Sequence, residues 1–172
     1  MPPSRTRTRK SKPSTRTSTR TRNRTHTRNR THTPKSKSRH SKEEKLAIEY
    51  IPLLLEILDT IKTYHWRTHS YSTHKATDEL HEKLSEKTDE FAEVLLGKIG
   101  PDRFAALNIP SVRVRVLKTN EEAESATRNY IARLANISSN PNLSHHMDVD
   151  LLNIRDEMVA MLNRFLYLLT LK

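Results

Sequence analysis

The chain has 172 residues, with 31 Lys or Arg against 20 Asp or Glu, two glycines and no cysteine. That length admits one domain of ordinary size and an appendage, and the lack of cysteine excludes disulfides and thiolate metal sites, which suits the cytosol, the nucleus or a packaged particle. No stretch approaches the roughly 18 consecutive apolar residues of a membrane span, so a soluble protein is expected.

The charge is divided along the chain. Residues 1–42 hold 15 Lys or Arg and no acid, leaving 16 basic and all 20 acidic residues to 43–172. A basic arm on a mildly acidic body places the attraction for a polyanion in the arm. Its residues are Arg, Lys, Thr, Ser, Asn, His and Pro, with one tandem repeat, Asn23-Arg-Thr-His-Thr-Arg28 followed by Asn29-Arg-Thr-His-Thr-Pro34. Between Met1 and Leu46 there is no large apolar residue, which argues against an amphipathic transit peptide. It also leaves nothing to offset the entropy of ordering, so residues 1–41 are expected to be disordered. The candidate phosphate-binding cations are Arg5, Arg7, Arg9, Lys10, Lys12, Arg16, Arg20, Arg22, Arg24, Arg28, Arg30, Lys35, Lys37 and Arg39. Spaced by small hydroxyl residues and lacking aromatic residues that stack on single-stranded bases, they suit double-stranded DNA or a generic polyanion. The neighbouring Ser and Thr are positions where phosphate would cancel the charge.

From residue 41 the pattern becomes helical. Ser41 and Glu44 fit a capping box, and Leu46, Tyr50, Leu53, Leu54, Ile57, Leu58, Ile61 and Tyr64 follow at helical spacing, predicting a first helix to about residue 66 with Pro52 as a kink. A second helix is predicted over 74–98 with Leu80, Leu84, Phe91, Val94 and Leu95 inward, ended by Gly97, Gly100 and Pro101. The next twenty or so residues, including the Val112-Arg-Val-Arg-Val116 alternation, read as a crossover. Thr119 and Glu122 fit the cap of a third helix to about 137, and a fourth is predicted from about 147 to 171 with Val149, Leu152, Met158, Val159, Leu162, Phe165, Leu166 and Leu169 inward. Four helices with one long middle connection predict an all-α, ferritin-like four-helix bundle over 42–172.

The residues suited to chemistry are His65 at the end of the first helix, next to Trp66; His74 opening the second; and Asp89 and Glu93, one turn apart further along it. Imidazole with carboxylate suits iron and similar divalent metals. His74 and Asp89 are separated by about 22 Å of helix, so a shared ion requires two subunits, as in an antiparallel two-fold dimer with two equivalent interfacial sites. His69 and His81 read as exposed or packing residues, and His145-His146 as loop. Asp150, Asp156 and Glu157 read as a polar face, while His26, His32 and His40 supplement the arm's charge only at lower pH.

Ile61-Lys-Thr-Tyr-His-Trp66, His74, and Asp78-Glu-Leu80 leading into Asp89-Glu-Phe-Ala-Glu93 resemble the signature of the DNA-protection ferritins called Dps. The resemblance implies an iron-oxidising centre between subunits, with His65, His74, Asp89 and Glu93 as ligands, Asp78 as a lesser one and Trp66 as the neighbouring catalytic-site residue. It further implies two-fold dimers building a dodecamer, and basic tails that bind DNA. The arm is longer and more repetitive than common bacterial ones and looks like the condensing arm of a packaged viral genome, so the expected location is DNA-associated: nucleoid, nucleus or virion. The competing expectation is a structural DNA-condensing protein that keeps the bundle for assembly alone.

Overall fold

The computed structural model describes residues 40–171 apart from Ala106 and Ile109. The chain divides into Met1–Lys37 and Ser38–Lys172. The basic arm from Arg5 to Arg39 lies outside the described residues, and every described helix belongs to the second unit.

The described residues are all-helical, with no strand among them: α1 (Lys42–Arg67), α2 (Tyr71–Ile99), the short α3 (Pro101–Ala105), α4 (Asn120–Ala135) and α5 (Val149–Leu169), with a 3-10 turn at Asn136–Ser139. None of the helices is long and apolar enough to cross a membrane. The capping box starts α1: the Glu44 amide donates to Ser41 Oγ at 3.2 Å, and the Ser41 amide to Glu44 Oε2 at 2.7 Å. That amide, with Arg103 and His40, lowers the Glu44 pKa against the opposing effect of burial. α1 runs through Pro52, whose missing N–H withholds the helical donor from the Ile48 carbonyl. All eight apolar positions read from the α1 periodicity are buried.

Side-chain pairs along the helices fix their directions. Lys62 and His65 face Asp78 and His74, so α1 and α2 are antiparallel. Glu79 pairs with Arg164, Lys87 with Glu157 and Lys98 with Asp148, so α2 and α5 are antiparallel. Tyr64 meets Asn120, Thr60 meets Tyr130 and Glu56 meets Arg133, so α4 also runs against α1. α2 and α4 are therefore parallel, and the segment between them has to travel the length of α1. Its course is marked by Arg103 on Glu44 at 2.7 Å and Arg115 on Glu56 at 3.1 Å. The Arg115 amide also donates to Thr60 Oγ1, and Leu117 is buried. The valine alternation forms no strand: Val114 and Val116 are exposed while Arg115 lies over the Tyr130 ring, 5.2 Å from its centre.

Two ends differ from the sequence reading. α2 starts at Tyr71, three residues before the expected His74, because Ser70 caps it through the Thr73 amide. It runs through Gly97 to Ile99 and stops at Gly100, whose φ of 88° suits a residue without Cβ. The inward face of α5 keeps Met158, Leu162 and Phe165 of the expected set but is displaced to one side. Leu151, Ile154, Arg155, Met158, Leu162 and Phe165 are buried, whereas Val149 is 48% exposed and Leu152, Val159, Leu166 and Leu169 are half-buried. On α2, Val94 is likewise half-buried and its place is taken by Leu95 and Ile99.

Polar groups close the other end. The Arg155 guanidinium donates to the Leu134 and Ala135 carbonyls and to Ser138 Oγ, partnering carbonyls that the end of α4 leaves free. Burial opposes ionisation of Asp148, but Lys98 and the Ser144 amide outweigh it and hold that carboxyl below its ordinary range. This contribution to stability is present above the ordinary carboxylate pKa and is lost as pH falls through the lowered value. The phase of α5 is tested by truncation. Leu151→Ala should cost about 3 kcal/mol in chemical denaturation and Val149→Ala less than about 0.5 kcal/mol; the reverse order would restore the sequence-based face.

Candidate metal centre

Only residues 68–70 separate α1 from α2, so the last turn of one lies directly against the first turns of the other. His65 in that last turn is buried, and its ring stacks on His74 with centroids 3.9 Å apart and planes inclined by 25°. The two residues also exchange backbone contacts. His65 Nδ1 lies 3.1 Å from the His74 carbonyl, and His74 Nδ1 lies 3.2 Å from the His65 carbonyl. Thr77 adds its Oγ1 at 3.2 Å from His65 Nδ1 while donating its own proton to the Thr73 and His74 carbonyls.

A carbonyl oxygen accepts only, so each Nδ1 has to carry its proton, which leaves each neutral ring with a lone pair on Nε2. His65 Nε2 is 3.8 Å from Asp78 Oδ1. The same oxygen is 3.8 Å from Lys62 Nζ. Two oriented imidazoles and one carboxylate are donors of the kind that hold iron, zinc and similar cations, and rings fixed through the second nitrogen are the usual support of such ligands.

The remaining expected residues lie elsewhere. Asp89 and Glu93 are exposed on α2, and neither forms an ion pair with another described residue. α2 is uninterrupted between His74 and Asp89, which keeps them about 22 Å apart. Among the described residues no three His, Asp or Glu are grouped closely enough to hold an ion as they stand. Trp66 points away from the core, 70% exposed, and Tyr71 is 77% exposed on the other side of the turn.

Two contributors, Thr77 and Lys62, escaped the sequence reading, and the sequence reads His81 only as an exposed or packing residue. Thr77 holds His65, and Lys62 reaches Asp78. His81 is half-buried near the same groups, and burial, then Lys62, lower its pKa against Asp59 and Asp78. Helical spacing carried a signal for Lys62, one turn before His65, and for His81, one turn after Asp78.

The fold and this cluster define an all-helical protein with a pair of backbone-fixed imidazoles at one helical turn. The chain belongs to the family described as "Family of unknown function (DUF5856)", which matches residues 65–169. No curated protein and no solved structure matches it.

The protonation assignment has a direct test. Long-range proton–nitrogen NMR of the two rings at neutral pH should show Nδ1–H tautomers for both His65 and His74. An Nε2–H form at either residue would remove the free lone pair from the site.

Proposed function

We propose that this protein is a Dps-like, ferritin-like protein that takes ferrous iron as a substrate at a site shared between two copies of the chain and holds double-stranded DNA through its basic N-terminal arm. The observation that carries the iron reading is the pair of stacked imidazoles whose Nδ1 atoms are occupied by each other's backbone carbonyls, leaving both Nε2 atoms free, with that of His65 3.8 Å from Asp78. The helix order supports the ferritin-like reading: two antiparallel pairs joined by a crossover along α1 form the one-crossover bundle arrangement.

In this reading His65, His74 and Asp78 of one copy meet Asp89 and Glu93 of the other, as the helix length requires. The histidines and carboxylates bind and orient ferrous iron, and Trp66 flanks the site. Each ferrous ion gives up one electron to the oxidant; with hydrogen peroxide, two ferrous ions and two protons yield two ferric ions and two waters. A second reading, a DNA-condensing protein without iron chemistry, is favoured by the Lys62 ammonium, which already gives Asp78 a counter-charge.

Mixing variants separates these readings. His65→Ala with His74→Ala in one chain, and Asp89→Ala with Glu93→Ala in another, should each abolish fast iron oxidation. Unfolding and reassembling them together should restore part of it, because a mixed dimer contains one complete ligand set and one site that lacks both histidines, Asp89 and Glu93. Confirmed mixed dimers without activity would overturn the shared site, and full activity in either variant alone would exclude these residues.

The DNA reading is tested by removing residues 1–41, which hold 14 of the cations counted in the arm. Binding to duplex DNA should be greatly weakened while the helical assembly persists. If about 10 phosphates are engaged, log affinity of the full chain should fall with log salt at a slope near −9. Unchanged binding after deletion would move the DNA surface to the helices.

A further inference from the structure

We propose that Lys62 makes cation loading conditional on assembly: its ammonium balances Asp78 within one chain, and the carboxylates of a second copy are needed to outweigh it. The inference rests on the shared-site reading and adds a residue that determines when that site accepts an ion.

Lys62 and His65 address the same atom. Lys62 Nζ and His65 Nε2 each lie 3.8 Å from Asp78 Oδ1. Lys62 has no other carboxylate partner among the described residues, and its side chain is only 32% exposed, so the charge is held against the helices rather than extended into water. The charges then decide the outcome. Among the proposed ligands of one chain the single carboxylate is matched by the Lys62 ammonium, so a divalent cation approaching a single chain meets a positive charge beside its only carboxylate ligand, with Asp59 the further carboxylate acting near His81. Asp89 and Glu93 are exposed and unpaired among the described residues. Brought by a second copy, they add two negative charges, enough to match a divalent ion with Lys62 still present. A lysine suits this part because its flexible stem lets the ammonium swing away from the carboxylate once an ion arrives.

The test reads binding, not turnover. Co²⁺ is titrated anaerobically into the full chain by calorimetry and by its visible absorption, with Lys62→Met preserving the apolar stem and Lys75→Met as a control for lost surface charge. Lys62→Met should tighten Co²⁺ binding about tenfold beyond any change from Lys75→Met. Asp89→Asn with Glu93→Gln should remove measurable binding while Lys62 is present, and adding Lys62→Met should bring weak binding back to the His65, His74 and Asp78 set. Lys62→Gln repeats each comparison should the methionine variant fail to fold. Equal or weaker binding without the lysine charge, or no recovery in the triple variant, overturns the proposal. His65→Ala with His74→Ala separates the two levels. Co²⁺ binding that survives this pair defeats the shared site itself, whereas binding that is lost there but insensitive to Lys62 defeats only the role given to the lysine.

Discussion

One carboxylate ties both the crossover and α4 to α1. Glu56 sits midway along α1, 8% exposed, and a carboxylate in that position requires close positive partners. It receives one from the crossover, Arg115, and one from α4, Arg133. Those two arginines come from segments that a short α2–α4 connection would have placed elsewhere. Satisfying Glu56 from both sides holds the crossover along α1 and α4 antiparallel to it, and Arg115 extends the anchor through Thr60 and the face of Tyr130.

The paired histidines are a consequence of the same framework at the opposite end. With α1 and α2 held together by their buried stripes, the three-residue connection leaves little freedom to the turns it joins. The Tyr64 hydroxyl and the Thr73 side chain both reach Asn120 at the start of α4. A site built this way takes its orientation from backbone carbonyls and helix packing, which are harder to displace than a solvent-exposed side-chain network.

The parts readable from sequence were those with one clear periodicity. On α1 the apolar residues recur at three- and four-residue spacing in a broad buried stripe, and its inward face follows directly from residues 46–64. α5 keeps a polar stripe at Asp150, Asn153, Asp156, Glu157, Asn163 and Arg164, but its apolar side is wider than the buried strip, so which of Val149, Leu151, Leu152, Ile154 and Val159 is buried is decided by what α2 and α4 present. The early start of α2 was hidden because Tyr71, Ser72 and Thr73 carry no apolar repeat; only the Ser70 cap announces it. At the site, spacing drew attention to His65 and His74, but the reciprocal carbonyl contacts depend on how two helices are apposed. Beyond its place one turn before His65, Lys62 carries no signal of its own in the sequence, because its approach to Asp78 depends on how α2 lies against α1.

Trp66 is the only tryptophan in the chain, it adjoins His65, and it is 70% exposed. The protein therefore carries one indole fluorophore, separable from its five tyrosines by excitation wavelength, at one address, the last turn of α1. In a single chain that indole is hydrated, so an apolar surface that covers this end of α1 and α2 shifts the spectrum to shorter wavelength without a label and without a change in backbone. Events at the opposite end, near Arg155 and Asp148, leave that signal untouched, and the colour of the native emission distinguishes the two ends of the helices.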